Sequence, residues 1–335
     1  MLKTKFLSGF LSAIVISSSA SAQITAVGSS TVYPFITVVA ENFGNDTQYK
    51  SPIIESTGTG GGMKLFCQGL GTKTPDFTNA SREIKQSEID LCNKNGVTDI
   101  LEIKVGYDGI IIANSNEAKK YNLTRNQVFL ALAREVPING KLVENPYKKW
   151  SDIDKSLPAK EIAFYGPPPT SGTRDAFVEL VMEKSCVNLS EFKAAYENKK
   201  LRKKKCIQIR EDGVFMEAGE NDNLIIQKLA ANKDALGIFG YSYLEQNLDK
   251  VQGSTINNIT PTFDNISTGN YPVSRSLYVY VKEQNYDIKP ELKTFVQTLV
   301  SEDTIGEDGY LVYKGLIPIT FDELNETQEL AYKNM

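Results

Sequence analysis

The chain has 335 residues, of which 41% are hydrophobic and 23% are charged, so it can bury a substantial core and is not disordered. Its net charge of −4 gives no basis for a general attraction to nucleic acid or to a membrane. The absence of histidine excludes Ser-His-Asp and Cys-His catalysis and any His-ligated metal site. The length is about twice the ~150 residues of a typical domain and predicts two domains.

The N-terminus has the pattern of a cleavable secretory signal. Lys3 and Lys5 precede an apolar stretch at residues 6–16, and a run of small residues ends in Ala20-Ser21-Ala22. The apolar stretch is too short to span a bilayer of ~30 Å. We therefore expect residues 1–22 to be removed on export. Because no cysteine follows the expected cut directly, we expect a free, soluble protein without a lipid anchor.

Beyond this segment, short apolar runs alternate with helical patterns. In chain order, the predicted elements are a strand at 24–27, a helix at 32–43, a strand at 51–55, a helix ending at 70, strands at 105–114 and 162–165, helices at 174–183 and 224–231, and a strand at 235–241. Repeated strand–turn–helix units predict an α/β fold with largely parallel sheets.

The four cysteines are Cys67, Cys92, Cys186 and Cys206. In an exported protein an even number predicts disulfides, and three pairings are possible. Pairing neighbours, Cys67 with Cys92 and Cys186 with Cys206, keeps each bridge inside one lobe and is preferred. The spacing does not match a tetrahedral zinc site.

One charge run stands out, at residues 199–205, where lysine predominates. It could steer an anion toward a cleft. The alternative is a solvated surface segment beside a disulfide, and this is the preferred interpretation.

Small, polar, glycine-rich turns precede several predicted helices. They are at residues 28–31 (GSST), 57–62 (TGTGGG), 170–173 (TSGT) and, more weakly, 219–222 (GEND). A helix N-terminus offers unpaired N–H groups and the positive end of the helix dipole, and Ser and Thr hydroxyls add donors. Several such turns converging on one point would bind an oxyanion.

Each turn taken singly has a simpler explanation, because Ser, Thr and Asn are common helix N-caps and Gly is a common turn residue. The combination of three or four in one exported α/β chain favours a binding site. A Walker-type phosphate loop is excluded because no Gly-Lys-Ser/Thr follows the glycines.

These segments carry a family resemblance. GSSTVYP (28–34), GTGGG (58–62), ASR (80–82) and TSGTRDAF (170–177) resemble, in order and spacing, the phosphate-binding periplasmic proteins of the high-affinity phosphate ABC transporter, the PstS family. The resemblance covers essentially the whole mature chain. GSSTVYP and SGTR together are its specific part, whereas GTGGG alone is a weak signal.

The resemblance implies a type II periplasmic-binding-protein fold, with two α/β lobes joined by crossover hinge strands around a ligand cleft. Residues 105–114 resemble the outgoing crossover, and residues 272–281 (PVSRSLYVYV) resemble the return. The first lobe is then discontinuous, formed by 23–106 and 275–335, and the second lobe comprises 107–274.

The resemblance also implies a phosphate site. The residues that match the family motifs are Ser30 and the backbone of Thr31 as donors in the first turn, Thr59 with the backbone amides of Gly60 and Gly61 in the second, and Ser171, Gly172 and Thr173 in the third. No catalytic residue, metal or cofactor is expected.

Two departures from the family pattern affect this site. The best-known members have an arginine at the position of Pro167, and Arg174 is the natural substitute here. They also have an aspartate where this chain has Arg82. We expect Arg82 to contact the anion in place of that aspartate. Asp108 is then the first candidate to accept the phosphate proton, and Asp175 is the second.

The expected function is capture of inorganic phosphate in the periplasm and delivery to an ABC permease in the inner membrane, by a monomer that contacts no nucleic acid. One alternative is a receptor for another oxyanion, such as sulfate, molybdate or a phosphonate. A secreted phosphatase with Ser171 or Thr59 as nucleophile is disfavoured, because only Lys64 adjoins these turns. We expect no enzymatic activity.

Overall fold

The computed structural model describes residues 23–219 and 221–335. The predicted signal segment, residues 1–22, lies outside these ranges. Within them, no helix combines the length and the hydropathy needed to cross a bilayer.

The strands are short except for β4 and β13. They are β1 (Thr25–Gly28), β2 (Ile53–Ser56), β3 (Phe77–Ala80), β4 (Ile100–Ser115), β5 (Asn122–Leu123), β6 (Glu135–Ile138), β7 (Lys141–Glu144), β8 (Phe164–Gly166), β9 (Phe215–Glu217), β10 (Leu236–Gly240), β11 (Val251–Gly253), β12 (Thr255–Ile256) and β13 (Ser274–Lys282).

The helices follow most strands directly. They are α1 (Tyr33–Asp46), α2 (Thr59–Phe66), α3 (Gln86–Lys94), α4 (Arg125–Leu132), α5 (Trp150–Ile153), α6 (Gly172–Phe177), α7 (Lys184–Cys186), α8 (Ser190–Ala195), α9 (Lys199–Cys206), α10 (Asp222–Ala231), α11 (Tyr241–Glu245), α12 (Phe263–Ser267), α13 (Glu291–Leu299), α14 (Glu302–Ile305) and α15 (Phe321–Tyr332). A π-helical segment, Val178–Glu183, continues α6, and two short 3-10 helices lie at Glu283–Asn285 and Val312–Lys314.

One mixed sheet runs through both lobes in the order β2-β1-β3-β13-β4-β10-β8-β9, with β11 also paired to β4. Strand β1 is parallel to β2 and to β3, and β8 is parallel to β9 and to β10. Strand β4 belongs to both lobes, because its first part pairs with β13 and its second part pairs with β10 and β11. This is the two-lobed α/β fold that the sequence predicts.

The two crossover strands are β4 and β13, and they are antiparallel neighbours. Their register places Arg275 opposite Asp108 and shifts between Leu277 and Tyr278. Close to this irregularity, Gly106 has φ +156°, and a Cβ there would lie 2.6 Å from the carbonyl oxygen of Ile317. A side chain at this position is therefore excluded by both conformation and space.

Amphipathic helices cover the sheet because their apolar residues recur every three or four positions. In α1, Ile36, Val39 and Phe43 are completely buried, and the Phe43 ring packs edge-on to Phe295 of α13 at 5.5 Å. The Pro34 ring fits the start of α1, where the helix needs no N–H donor.

Each disulfide lies within a single predicted lobe, the first bridge in the first lobe and the second bridge in the second lobe. Cys67 at the end of α2 is bonded to Cys92 of α3, and Cys186 of α7 is bonded to Cys206 of α9. The preferred neighbour pairing is thus confirmed. In the chain-entropy account, loops of 25 and 20 residues correspond to about 3 kcal/mol of stabilisation per bridge.

Candidate functional site

A cavity of about 310 Å³ lies in the cleft between the lobes. Its walls combine the first and third predicted turns, the start of α1, one crossover strand, the weak fourth turn and two segments that the sequence analysis did not single out. The lining residues are Ser30, Thr31, Tyr33, Pro34, Phe35, Asp108, Thr170, Ser171, Gly172, Thr173, Asp222, Gly240, Ser242, Tyr243, Lys314 and Gly315.

The first turn is held tightly against the sheet. Gly28 has φ +146°, and a Cβ there would lie 2.2 Å from the carbonyl oxygen of Asn79. The Ser29 hydroxyl accepts from the backbone N–H of Thr31 at 3.2 Å. The backbone N–H of Thr31 is therefore already hydrogen-bonded. The hydroxyl of Thr31 is its remaining polar group at the cavity.

The third turn meets the first turn across the cleft. A Cβ on Gly172 would lie 3.3 Å from the Cα of Thr31 and 3.4 Å from the carbonyl oxygen of Ser30. The Ser30 hydroxyl donates to the Asp175 carboxylate at 2.5 Å. The lobes are thus in direct contact, which describes a closed cleft.

The second turn lies beside the first but does not line this cavity. A Cβ on Gly62 would lie 2.5 Å from the Cα of Gly28, so α2 packs closely on the first turn. The hydroxyls of Thr59 and Ser81 lie 3.1 Å apart, and the backbone N–H of Ser81 donates to Thr59. Gly60 and Gly61, also predicted as ligands, form the start of α2 beside Thr59.

Arg82 lies in a different environment from the one we expected for an anion ligand. Its guanidinium donates to both carboxylate oxygens of Glu88, at 2.9 and 2.7 Å, and to the carbonyl oxygen of Glu83. This bidentate hydrogen bonding raises the pKa of Arg82. In this closed cleft the Arg82 side chain forms its hydrogen bonds within its own lobe.

Arg174 is likewise occupied. Its Nη1 donates to the carbonyl oxygen of Pro167 at 3.1 Å, and its guanidinium lies 4.4 Å from the centre of the Phe215 ring. Burial lowers the pKa of Arg174. Arg174, the predicted substitute for the family arginine that is missing at Pro167, thus contacts that proline. It is not among the residues that line the first cavity.

The arginine that contacts the cavity wall is Arg275, on the return crossover strand β13. Its Nη2 donates to the Thr31 hydroxyl at 2.6 Å, its Nη1 to Glu179 at 2.6 Å, and its Nε lies 3.3 Å from Asp108. The side chain is only 7% exposed. Arg275 therefore connects the first turn, the other crossover strand and the second lobe.

A second cavity, of about 440 Å³, lies on the side of Arg275 toward the second turn. Arg275 lines it together with Ser81, Arg82, Glu83, Glu179, Leu180, Lys184, Ser276 and Tyr278. Arg275 thus lines the second cavity and contacts two residues that line the first, Thr31 and Asp108. An anion on either side would lie close to its positive charge.

Two carboxylates line the first cavity. Burial raises the pKa of the Asp108 carboxyl, although the neighbouring Arg275 opposes this shift. Asp222, in the weakest of the four predicted turns, is 4% exposed and accepts from the backbone N–H of Gly240 at 3.0 Å. Asp175, the second predicted acceptor, accepts the Ser30 hydrogen bond instead.

Reasoning from sequence missed Arg275 and Asp222, and it also missed Ser242, Tyr243 and Lys314 of the cavity lining. Arg275 stands in the segment identified as the return crossover, but nothing in an apolar strand pattern marks one charged residue as inward-facing. Asp222 stands in the fourth turn, so its position was indicated although its contact with the cleft was not.

The profile of the PBP superfamily domain matches residues 15–303. The chain is 30% identical to the protein SphX of Synechococcus elongatus, over 82% of this chain and 72% of that protein. It is 29% identical to the phosphate-binding protein PstS of Staphylococcus saprophyticus, over 84% and 76%.

Among solved structures, a possible phosphate binding protein from Planctomyces limnophilus superposes with a TM-score of 0.76 at 26% identity, covering 94% of this chain and 99% of that one. An ABC-type phosphate transport receptor from Vibrio cholerae shares the fold, with a TM-score of 0.59 at 19% identity.

The chain is therefore a two-lobed binding protein of the PBP superfamily. Within that class it belongs to the family of SphX and the phosphate-binding protein PstS. The predicted type II periplasmic-binding-protein fold is confirmed.

Proposed function

We propose that the protein captures inorganic phosphate between its lobes and delivers it to an ABC importer. The names of its relatives support the ligand, and the observation that carries the proposal is Arg275, which donates to the hydroxyl of Thr31 in the first turn. A guanidinium among hydroxyl groups in a closed cleft matches the charge and the hydrogen-bonding geometry of an oxyanion.

In this proposal, Ser30, Thr31, Ser171 and Thr173 supply hydroxyl groups, and the N-terminus of α6 at Gly172 supplies backbone donors. Arg275 supplies the positive charge. Each charge-assisted hydrogen bond contributes about 1.5–3 kcal/mol, so a few of them exceed the ~8 kcal/mol of a micromolar complex before the costs of desolvation and ordering.

The roles of Thr59, Gly60, Gly61, Arg82 and Arg174 as ligands stay predictions. In the closed cleft these residues lie outside the first cavity, and the arginines have partners within their own surroundings.

Closure of the cleft links binding to delivery. The contacts of Ser30 with Asp175 and of Arg275 with Glu179 join the lobes, and a ligand that contacts both lobes favours the closed form by its differential affinity. We infer that the protein acts in the periplasm after removal of residues 1–22, as a monomer, and catalyses no reaction.

Calorimetric titration of the ligand-free protein with phosphate tests the proposal. We expect 1:1 binding that an excess of sulfate does not displace. Arg82 at the position of the family aspartate favours a second candidate, a receptor for another oxyanion. Equal or tighter binding of sulfate would support that candidate and overturn the phosphate assignment.

A further inference from the structure

Helix α9, Lys199–Cys206, has the sequence KKLRKKKC and contains six cationic residues and no acidic one. The whole protein has a net charge of −4. The positive charge of α9 is therefore a local feature of one surface of the second lobe, and the net charge conceals it.

Half of these cationic side chains have partners within the protein. Arg202 donates to the carbonyl oxygens of Tyr196 and Glu197, at 2.8 and 3.2 Å. Lys203 forms an ion pair with Glu183, and the Nζ of Lys205 lies 5.5 Å from the centre of the Tyr196 ring.

The other three, Lys199, Lys200 and Lys204, form what we call the lysine face. All three are exposed. In the described part of the chain, none of the three forms an ion pair or a side-chain hydrogen bond. Their charges contribute nothing to the packing of the second lobe.

These charges disfavour the helix that carries them. Lys199 and Lys200 occupy its first turn, where the positive end of the helix dipole repels cations. Lys200 and Lys204 are four positions apart and repel each other. The Asn198 side chain caps the helix by accepting from the backbone N–H of Leu201, and the Cys186–Cys206 disulfide fixes its end. A charged face maintained against local preference indicates a role outside the fold.

The chemistry of the face identifies its partner. Recognition of a single carboxylate or phosphate favours the rigid fork of arginine, whereas lysine acts as a mobile point charge. Here the one arginine of α9 is turned inward and the outward cations are all lysines. Leu201, 46% exposed, and Ile207, 38% exposed, lie among them. A field of point charges with interspersed apolar side chains suits a surface that carries many anionic groups above an apolar layer.

We propose that the lysine face, with Leu201, binds the surface of a bilayer that contains anionic phospholipids. The attachment is peripheral and electrostatic, and it holds the second lobe against the membrane. It does not depend on the anion bound in the cleft.

Co-sedimentation with large unilamellar vesicles tests the proposal. The purified protein is mixed with vesicles of phosphatidylcholine alone and with vesicles of equal parts phosphatidylcholine and phosphatidylglycerol. We expect binding to the anionic vesicles alone, and a loss of that binding as salt rises from about 50 mM to about 500 mM.

The triple variant Lys199→Gln, Lys200→Gln, Lys204→Gln should weaken binding to the anionic vesicles at least about tenfold. Leu201→Ser should weaken it less. A matched variant removes three exposed lysines elsewhere, Lys94→Gln, Lys141→Gln and Lys155→Gln, and should bind as the native protein does. Phosphate affinity measured on each variant shows that it is folded.

Two results would overturn the proposal. One is the absence of binding to phosphatidylglycerol vesicles at low salt, which would leave an acidic protein as the partner to seek. The other is equal weakening by the two triple variants, which would show a response to net charge and no specific role for α9.

Discussion

The guanidinium of Arg275 donates to the hydroxyl of Thr31 at 2.6 Å, although 244 positions separate the two residues in the chain. The same guanidinium contacts Asp108 on the neighbouring strand and Glu179 in the π-helical segment. One side chain thus joins the first turn, strand β4 and the second lobe. The strength of anion binding and the position of the lobes should both depend on it.

Replacing Arg275 by alanine should raise the Kd for phosphate about 10- to 100-fold, because one or two charge-assisted hydrogen bonds of about 1.5–3 kcal/mol are lost. Arg275→Lys should recover only part of the affinity, since lysine lacks the fork that contacts several oxygens. Isothermal titration calorimetry measures both.

Arg82→Ala and Arg174→Ala are the matched controls for this prediction. Each removes an arginine that does not line the first cavity and does not contact Thr31, and whose partners are Glu88 for Arg82 and Pro167 and Phe215 for Arg174. We expect smaller losses of affinity than for Arg275→Ala. A larger loss in either control would show that the cleft rearranges on binding and that this arginine contacts the anion, as the sequence analysis predicts.

Asp108→Asn should reduce the preference for phosphate over sulfate at least about tenfold, because the neutral amide no longer repels fully ionised sulfate and its carbonyl oxygen is a weaker acceptor for the phosphate proton than a carboxylate. The measurement is the competition of sulfate against phosphate. Asp222→Asn alters the other carboxylate that lines the cavity and should change the preference less. The reverse order of effects would assign the acceptor role to Asp222.

Gly172→Ala should weaken phosphate binding about tenfold while leaving the thermal stability of the ligand-free protein unchanged or slightly higher. The added Cβ would lie within 3.4 Å of the first turn and oppose closure, whereas alanine is the better helix former by about 1 kcal/mol. Gly60→Ala is the control, because a Cβ there meets open space. Equal weakening by both substitutions would contradict an effect on closure.

The free energy of unfolding should increase as the pH rises above 8, through Lys282. This side chain is completely buried, and burial lowers its pKa to about 8 from 10.5. Between these values the unfolded chain still holds a proton that the folded chain has lost, so folding is favoured as the pH rises. The full shift corresponds to about 3 kcal/mol.

Urea unfolding at about pH 7.5 and about pH 9.5 measures this slope. In Lys282→Met the contribution of this residue to the pH dependence of the free energy of unfolding should vanish. The other titrating groups should contribute to that dependence as before. The variant also loses the hydrogen bonds from Nζ to Gly69 and Thr74, which affects both pH values alike. An identical slope in the two proteins would refute the assignment.

Much of the fold follows from local signals in the sequence. The strands and helices predicted between residues 24 and 241 all overlap observed elements, because period-two and helical patterns and glycine-rich turns act over a few residues. The predicted helix at 174–183 is the partial exception. It begins as α6 and continues as the π-helical segment, which brings Glu179 to Arg275.

The site was less predictable because it depends on the register between paired strands and on which of several acceptors each arginine contacts. The opposition of Arg275 and Asp108 is set by the pairing of β13 with β4, which no local pattern encodes. The partner of Arg82 is decided by the start of α3, where Glu88 also accepts from the backbone N–H of Lys85. A motif places an arginine on a loop but does not determine which carboxylate it contacts.

The position of β13 determines the order in which the lobes can be completed. During synthesis, all strands of the second lobe precede residue 274, whereas β3 and the first part of β4 lack the strand that lies between them until 274–282 have emerged. Their free edges are the kind of surface on which strands pair wrongly. The first lobe must therefore remain unfinished for most of the time of synthesis, and the cleft between the lobes can close only after β13 has been added.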